Sequence, residues 1–449
     1  MNRLLRTSLL VLACVAAIAA HAAVLDFDGA DATSIGIYIK DLKTGKVIAD
    51  HNSATALTPA SIMKALTTAT ALEKLGADHR FRTRVALAGK RNGNVWTGDL
   101  VIFGVADPTL ESDQFKKNCG LTDSIVGALR RRGISELTGS VVIVESLRDA
   151  GPVLKWECED IAWPYGAGLY GFNYAGNYVR CYPNRGTTAP ASSLKIKVLP
   201  AAEGDGNDIL RGVASDNLIV HATAKSRRNK DFSINVTVPD PAAVYAGVLV
   251  EALNRNGIKT GRRPAYVDRS DATTIYTHRS PTAAVYMSNL MKRSDNLFAE
   301  GTLRAIDPAG SRDDCIKAEK AFWKERGLDA ASTLIYDGSG LTRGNKLPPA
   351  FLGRMLEIMA ASPNAGTYVS FFPKAGMEGT LKSFLDKSRL KGRIALKTGS
   401  VAAVQCYAGY KLDWEGKPTH AVVIMVNGFF CPRAQVRRAI EKFLLDTFE

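Results

Sequence analysis

Each end of this 449-residue chain carries only part of a hydrophobic layer. Across 34–50, apolar residues alternate with small or polar ones on both sides of a Lys-Thr-Gly turn, which predicts a β-hairpin. At the other end, 404–412 and 420–426 predict two strands, and 432–448 predicts a last helix. None of these pieces can bury its apolar face alone. We therefore expect the two ends to meet in one discontinuous domain.

The chain between about residues 81 and 275 has a different pattern, in which short strand-like runs alternate with clusters of Gly, Asn, Asp and Pro. The clearest runs are 100–103, 141–144, 194–199 and 234–238. Such punctuation is typical of β-rich units joined by turns. Helical periodicity returns after Ser280 and Pro281, which suit a cap followed by a proline in the first turn. We therefore expect a mixed α/β (α+β) chain with largely β insertions.

The first 22 residues predict an export signal. An apolar stretch at 8–20 follows two arginines and leads into Ala-His-Ala at 20–22, as in a cleaved signal peptide. No later stretch reaches the roughly 18 continuous apolar residues of a membrane helix. We expect the mature chain to begin near Ala23 and to be soluble in the periplasm. There, the positive charge of the chain, formally +14, favours anionic envelope polymers over nucleic acid as partners.

The cysteines favour the same compartment. Removal of the signal takes Cys14 and leaves an even number of cysteines, so at least one disulfide is expected outside the cytoplasm. Cys158 with Cys181, and Cys406 with Cys431, are the pairs we predict, because each brackets a short segment that could fold back. The histidines, at 21, 51, 79, 221, 278 and 420, lack the spacing of metal ligands. We therefore expect neither a metal nor another cofactor.

Three short patterns occur together in serine acyltransferases: Ser-x-x-Lys, Ser-x-Asn and Lys-Thr-Gly. Each is repeated in this chain, so a match alone proves nothing. One complete ordered set begins at Ser61, Ser294 and Lys397, and a rival set begins at Ser192, Ser215 and Lys259. A further Ser-x-x-Lys pair starts at 388.

Helix geometry separates the two sets. A serine and a lysine three residues apart share a face in a helix but point to opposite faces in a strand. Ser61 opens a helical pattern at 62–75, whereas the residues after Ser192 alternate like a strand. We therefore select Ser61, Lys64 and the motifs that follow them. The Ser-Asp-Asn at 294–296 lies between two helical patterns, and the Lys-Thr-Gly at 397–399 can form the edge of a sheet, where a strand can bind an extended peptide.

Four stretches resemble the penicillin-binding D-alanyl-D-alanine carboxypeptidases and endopeptidases of the penicillin-binding protein 4 type. They are Pro-Ala-Ser-Ile-Met-Lys at 59–64, Ser-Asp-Asn-Leu at 294–297, Asp-Gly-Ser-Gly-Leu-Thr-Arg at 337–343, and Lys-Thr-Gly-Ser at 397–400. The long interval between the first two also suits that family, which places additional domains there. The resemblance implies a discontinuous penicillin-recognising transpeptidase-like domain, an antiparallel sheet flanked by helices. The implied bounds are 23–82 and 275–449 for that domain, 83–165 and 240–274 for inserted domain II, and 166–239 for a β-rich domain III.

The resemblance also implies roles for the motif residues. Ser61 would attack the penultimate D-Ala carbonyl to form an acyl-enzyme, and Lys64 would accept its proton if burial and the neighbouring Lys397 lower the pKa of the Lys64 ammonium. Ser294 would relay a proton to the leaving amine, and Asn296 would bind the substrate amide.

Substrate recognition is implied at the third motif and at two positions elsewhere. Lys397 and Thr398 would bind the terminal carboxylate, and Gly399 belongs to the same binding strand. The backbone N–H groups of Ser61 and Ser400 would form the oxyanion hole. Arg343 and an acid of the inserted domain would contact the diaminopimelate side chain of the stem peptide. Glu145, which follows the strand-like run 141–144, is the acid that we select, although the family typically has Asp there.

The implied function is hydrolysis of D-Ala-D-Ala ends, of D-Ala-diaminopimelate cross-links, or of both, in peptidoglycan. β-Lactams would bind covalently as inhibitors. Two alternatives are a β-lactamase and a non-catalytic wall-binding protein. No Glu-x-x-x-Asn element lies in a suitable position between the first two motifs to activate a deacylating water, which argues against the β-lactamase. The intact motif residues argue against the wall-binding protein. A homodimer and peripheral envelope association are both compatible with the resemblance.

Overall fold

The structure is a computed structural model that describes residues 25, 28–115, 120–261, 263–264 and 271–448. The predicted signal peptide therefore lies outside the described residues. The strands are β1 (Ile35–Asp41), β2 (Val47–His51), β3 (Arg82–Asn92), β4 (Val95–Phe103), β5 (Glu136–Leu137), β6 (Val141–Val144), β7 (Tyr178–Tyr182), β8 (Thr187–Ala189), β9 (Lys195–Pro200), β10 (Asp208–Arg211), β11 (Asn217–Ala222), β12 (Ile234–Thr237), β13 (Lys259–Thr260), β14 (Thr273–Arg279), β15 (Ile394–Val401), β16 (Val404–Leu412) and β17 (Pro418–Asn427).

The helices surround these strands. They are α1 (Met63–Leu75), α2 (Leu121–Arg131), α3 (Cys158–Ile161), α4 (Ala224–Arg228), α5 (Pro241–Arg255), α6 (Ala283–Arg293), α7 (Asn296–Ala305), α8 (Arg312–Lys324), α9 (Pro349–Ala361), α10 (Ala365–Ser370) and α11 (Arg433–Phe448).

The two ends of the chain share one antiparallel sheet with the strand order β15-β16-β17-β1-β2. The amino-terminal strand β1 lies inside this sheet, paired with β17 from Ile35 opposite Val426 to Asp41 opposite His420. The predicted hairpin, the two carboxyl-terminal strands and the final helix are therefore confirmed. Pairing of β1 with β17 satisfies backbone groups that neither end could satisfy alone. The discontinuous antiparallel sheet that we expected is present.

Both faces of this sheet are covered. On one face, Tyr410 and Met425 pack with α1, α6 and α9 in a large apolar core. On the other, Ile37 and Ile424 pack against Val436, Ile440, Phe443 and Leu444 of α11. The apolar side of α11 is thus buried on the sheet. Among the described residues, no helix is both long enough and apolar enough to cross a membrane.

Helix α1 is the central helix of the larger core, and its side chains from Met63 to Leu72 are buried around the whole circumference. The predicted helix at 62–75 is therefore confirmed, with a 3₁₀ turn at Ala60–Ile62 leading into it. Gly76, at φ +82°, ends the helix, because a left-handed conformation costs glycine little.

The middle of the chain forms separate sheets. One six-stranded sheet contains β3, β4, β5, β6, β13 and β14, and two three-stranded sheets contain β7, β8 and β12, and β9, β10 and β11. The predicted runs 100–103, 141–144, 194–199 and 234–238 all fall on strands, within a residue or two at their ends. The insertions also carry α2 and α5, whose apolar faces pack on the six-stranded sheet. Placement of the domain boundaries within these insertions remains a prediction.

Two local predictions were wrong. Helix α6 is preceded by Thr282 rather than capped by Ser280, whose hydroxyl accepts a hydrogen bond from Phe81 N–H and donates one to the Pro281 carbonyl. The predicted disulfides are absent, and Cys158, Cys181, Cys406 and Cys431 are all free thiols. Cys181 is buried on β7 while Cys158 is exposed. Cys406 and Cys431 pack on opposite faces of the main sheet, so closeness in sequence does not bring their side chains together.

Candidate active site

The first motif places a hydroxyl beside an amine at the start of α1. Ser61 lies in the 3₁₀ turn, and Lys64 follows in the first turn of the helix. Lys64 Nζ lies 2.9 Å from Ser61 Oγ. The residue before the serine, Ala60, has φ +46°, a conformation that a non-glycine residue adopts only when its surroundings hold it there. The turn thus presents Ser61 towards the lysine at a cost in backbone strain.

Lys64 is fully buried, and its amine has two further partners. Nζ donates to Asn296 Oδ1 at 2.6 Å and to the Ser339 carbonyl oxygen at 2.5 Å. Burial lowers the pKa of Lys64 to about 8, whereas nearby carboxylates, above all Asp337, oppose this shift. At pH 7 roughly a tenth of the amine is therefore neutral and able to accept a proton.

The second motif forms a loop between α6 and α7. Ser294 has φ +60° and turns the chain, and Asp295 caps α7 by accepting a hydrogen bond from Phe298 N–H. The turn directs Ser294 Oγ to Lys397 Nζ, at 2.8 Å, and Asn296 Oδ1 to Lys64. A cleft of about 250 Å³ beside this loop is also lined by residues of the insertion, including Tyr165. The loop therefore joins the other two motifs.

The third motif lies on β15, at the edge of the main sheet. Lys397 is fully buried, and its amine also donates to the Thr398 carbonyl at 2.6 Å. Burial and the positive charge of Lys64 together lower the pKa of Lys397 well below its ordinary value. Burial is what lowers the pKa of Lys64, and the two buried amines lie close enough for charge on one to disfavour charge on the other. The Ser294 hydroxyl and the Thr398 carbonyl, which bond to the Lys397 amine, are both uncharged.

Strand β15 approaches the serine turn so closely that Gly399 has no room for a side chain. A Cβ on Gly399 would lie 2.6 Å from the Pro59 carbonyl oxygen and 3.0 Å from Ser61 N. Thr398 Oγ1 donates to Thr380 Oγ1 at 2.9 Å, and Ser400 Oγ donates to Gln405 Oε1 at 2.9 Å. The hydroxyls of this strand are thereby held, and at 394–396 its outer edge is already paired with residues 373–375.

Sequence reasoning did not predict the buried contacts of the loop that begins at Asp337. Asp337 is fully buried and accepts four hydrogen bonds, one of them from the indole of Trp156 in the insertion. Glu300 accepts hydrogen bonds from Gly338 N–H and Ser339 N–H. Burial raises the pKa of Glu300 to about 7. Asp337 begins the motif at 337–343 that the sequence analysis identified, but the sequence did not indicate that Trp156 or Glu300 would contact this loop.

Arg343 and Glu145 are the two residues expected at the substrate side chain, and they contact different partners. Arg343 is exposed, and its Nε lies 3.9 Å from Glu157 Oε1. The Glu145 carboxylate instead accepts a hydrogen bond from Phe172 N–H at 2.7 Å inside the insertion. Burial raises the pKa of Glu145. The acid that the structure pairs with Arg343 is therefore Glu157, which precedes α3.

The rival motifs are structural turns. Ser192 Oγ lies 2.9 Å from Thr188 Oγ1, and Ser215 Oγ accepts a hydrogen bond from Asn217 N–H at the start of β11. Ser388 Oγ donates to the Leu385 carbonyl. Each of these three hydroxyls is therefore bonded within a few residues of its own position.

Comparison with known proteins identifies the family of the chain. Residues 15–445 match the model of the D-Ala-D-Ala carboxypeptidase 3 (S13) family. A D-alanyl-D-alanine carboxypeptidase of Actinomadura sp. (strain R39) is 27% identical over 89% of this chain and 79% of its own. The D-alanyl-D-alanine carboxypeptidase DacB of Haemophilus influenzae is 25% identical over 89% of this chain and 86% of its own.

Solved structures show the same fold. The crystal structure of penicillin-binding protein 4 (dacB) from Haemophilus influenzae covers 95% of this chain and 98% of its own, with a TM-score of 0.78 at 22% identity. A predatory endopeptidase from Bdellovibrio bacteriovorus covers 92% of each chain, with a TM-score of 0.53 at 16% identity. Because the family model spans nearly the whole sequence, the chain belongs to the D-Ala-D-Ala carboxypeptidase 3 (S13) family, of the penicillin-binding protein 4 type.

Proposed function

We propose that this protein is a serine DD-peptidase that acts on peptidoglycan stem peptides through an acyl-enzyme on Ser61. The observation that carries the proposal is the buried amine of Lys64, 2.9 Å from the Ser61 hydroxyl and also bonded to Asn296. A nucleophile paired with a base of lowered pKa is the arrangement that covalent acyl transfer requires. Family membership supports the same reaction.

Acylation begins with proton transfer from Ser61 to neutral Lys64. The alkoxide attacks the carbonyl of the penultimate D-Ala, and a tetrahedral oxyanion forms. The backbone N–H groups of Ser61 and Ser400 are proposed to bind that oxyanion, which the close approach of β15 to the serine turn supports. Ser294 would pass a proton to the leaving amine. Water then hydrolyses the ester and releases the shortened peptide.

Lys397 and Thr398 are proposed to bind the terminal carboxylate of the substrate. The Lys397 amine donates hydrogen bonds to a hydroxyl and to a carbonyl, so neither of these partners of the buried amine is an anion. A substrate carboxylate would supply that anion and would raise the pKa of Lys397. Binding would therefore be accompanied by proton uptake. Beyond 394–396, where it pairs with residues 373–375, the edge of β15 can pair with the extended peptide backbone.

Arg343 and Glu157 are proposed to recognise a side chain that carries both charges. They are exposed and 3.9 Å apart, so each can exchange its partner for a group of the ligand. A free amino group would bind Glu157, and a carboxylate would bind Arg343. A diaminopimelate side chain has both groups. Glu145 does not fit this role, because its carboxylate is already bonded to the Phe172 backbone.

We also propose that the protein acts outside the cytoplasm, where peptidoglycan is exposed. The sequence of residues 1–22 supports export, and the matched carboxypeptidases act on D-alanyl-D-alanine by name. Whether the protein forms a homodimer remains a prediction without further support.

A single experiment distinguishes the DD-peptidase from a β-lactamase and from a non-catalytic protein. The purified protein is incubated with benzylpenicillin, and intact and peptide mass spectrometry locates any adduct; cross-linked muropeptides are then supplied to the uninhibited protein. A persistent adduct on Ser61 with release of D-Ala, or with cleavage of cross-links, is expected. Rapid hydrolysis of the drug would support a β-lactamase, and no reaction with either compound would support a non-catalytic protein. The control is Ser61→Ala, which should form no adduct.

A further inference from the structure

One peptide unit connects Lys64 with a buried carboxylate. The carbonyl oxygen of Ser339 accepts a hydrogen bond from Lys64 Nζ at 2.5 Å. The N–H of the same peptide belongs to Gly340 and donates to Asp337 Oδ1 at 2.7 Å. Hydrogen bonds at opposite ends of one peptide polarise it in the same direction and strengthen each other. Asp337 is therefore coupled to Lys64 through a single rigid group.

The Ser339 carbonyl determines where the amine can accept a proton. A neutral lysine has two N–H bonds and one lone pair. Asn296 Oδ1 and the Ser339 carbonyl can only accept, and the orientation of the Asn296 amide is fixed because its Nδ2 donates to the Tyr165 carbonyl at 2.7 Å. These two acceptors bind both N–H bonds. The lone pair must then face the third neighbour, the hydroxyl of Ser61.

Asp337 holds this carbonyl in place. Besides Gly340 N–H, its carboxylate accepts hydrogen bonds from Thr342 N–H at 2.7 Å, from Asn345 Nδ2 at 2.8 Å and from Trp156 Nε1 at 2.9 Å. Four N–H donors converge on one carboxylate, an arrangement that only an acceptor can satisfy. Asp337 thus closes the loop around the Ser339–Gly340 peptide.

Trp156 connects this loop to the insertion. Its ring is buried, at 5% exposure, and its indole N–H donates to Asp337 across 181 positions of sequence. The loop is fixed from the other side by Thr67 of α1, whose hydroxyl donates to the Gly338 carbonyl at 2.9 Å. Gly340 itself lies against the serine turn, where a Cβ would be 1.9 Å from the Ala60 carbonyl oxygen. The loop therefore contacts the insertion, α1 and the nucleophile turn.

We propose that Asp337 and Trp156 are positioning residues that act through the Ser339–Gly340 peptide to direct the lone pair of Lys64 at Ser61. The inserted segment thereby contributes to the general base, although no inserted side chain touches that amine in the described contacts. This inference rests on the proposed function, because it assigns Lys64 the role of base.

The two residues predict different kinetic effects. Trp156→Phe keeps an aromatic side chain and the charge of Asp337 but removes one hydrogen bond, so the rate of Ser61 acylation should fall about 5- to 20-fold with the pH midpoint unchanged. Asp337→Asn removes a negative charge that raises the pKa of Lys64. Its acylation rate should fall about 100-fold, and the acid limb of its pH profile should move to lower pH.

The test measures second-order acylation by a chromogenic cephalosporin from about pH 6 to about pH 10 for each variant. Trp323→Phe is the matched control, because its buried indole donates to Thr70 Oγ1 in the main core and has no contact with Asp337. Its acylation rate should stay within about threefold of wild type. Thermal unfolding checks that each variant folds. If Asp337→Asn does not fold, the result for Trp156→Phe decides the question alone.

Slower acylation of Trp156→Phe with an unchanged acylation rate of Trp323→Phe supports the proposal. A shift of the acid limb of the pH profile of Asp337→Asn to lower pH also supports it. Acylation of folded Trp156→Phe at the wild-type rate would overturn it, as would equal slowing of the Trp323→Phe control. A wild-type protein that forms no adduct on Ser61 would refute the proposed function itself and with it this inference. The two failures are therefore distinguishable.

Discussion

Replacing Gly399 by alanine tests whether the close approach of β15 to the serine turn matters for acylation. The added Cβ would lie 2.6 Å from the Pro59 carbonyl oxygen and 3.0 Å from both Ser61 N and Ile62 N. All three are backbone atoms, which cannot rotate away as a side chain could. The strand and the turn must separate by roughly 0.5–1 Å to restore ordinary contact distances of about 3.5 Å. That movement displaces the proposed oxyanion-hole N–H groups of Ser61 and Ser400 from each other.

The expected loss follows from that displacement. A misplacement of about 1 Å at a reacting centre costs about 100-fold in rate, and loss of one oxyanion donor costs about 100- to 1,000-fold. We expect Gly399→Ala to reduce the second-order rate of acylation by about 100-fold, which corresponds to about 3 kcal/mol. Overpacking should also lower the free energy of unfolding by about 1–3 kcal/mol.

The assay is time-resolved labelling of Ser61 by a fluorescent penicillin, with the melting temperature measured on the same preparation. Gly206→Ala is the control, because Gly206 has open space around its Cα and no left-handed φ, so a methyl group should change neither quantity. Acylation of folded Gly399→Ala within about threefold of wild type would refute the argument that the tight strand–turn contact positions the oxyanion hole.

Three further outcomes are expected. In wild type, the second-order acylation rate should rise with pH and level off above about pH 8, because burial lowers the pKa of Lys64 to about 8. A flat profile across that range would contradict the role of Lys64 as base. Burial raises the pKa of Glu319 from 4.5 to about 7, so the stability that its protonated form contributes is complete below about pH 4.5 and is lost as the pH rises through about 7. Over that interval, denaturant titrations should show the unfolding free energy of wild type falling by up to about 3 kcal/mol relative to that of Glu319→Gln. Parallel curves for the two proteins would contradict this. Arg343→Gln should raise KM about tenfold for a stem peptide with a free diaminopimelate side chain while leaving β-lactam acylation unchanged, and equal effects on both substrates would argue against the specificity role.

Much of the local structure could be predicted from the sequence. Alternation across 34–50 predicted the hairpin, and the three-to-four spacing after Ser61 predicted α1. The same spacing rule separated Ser61 and Lys64 from the rival at Ser192, because a helix places residues three apart on one face and a strand does not. The resemblance of the ordered motifs extended this to the family and the fold, which the comparisons confirm.

Other features depended on distance in space rather than in sequence. The disulfide predicted between Cys406 and Cys431 is absent because the two lie on opposite faces of one sheet, which their separation of 25 residues cannot reveal. Glu145 was selected as the acid at the substrate side chain because it stands where the resembled family typically has Asp, yet the acid that meets Arg343 is Glu157.

The amino-acid sequence by itself determined the helices and strands that carry the three motifs, because side-chain periodicity acts over a few residues and is written directly in the order of the chain. Only the tertiary structure decided that Trp156 would reach Asp337, and that one peptide between them and Lys64 would direct the amine towards Ser61. Those contacts join segments more than a hundred residues apart. They form because packing of the insertion against the main core brings buried donors to buried acceptors, which would otherwise remain unsatisfied.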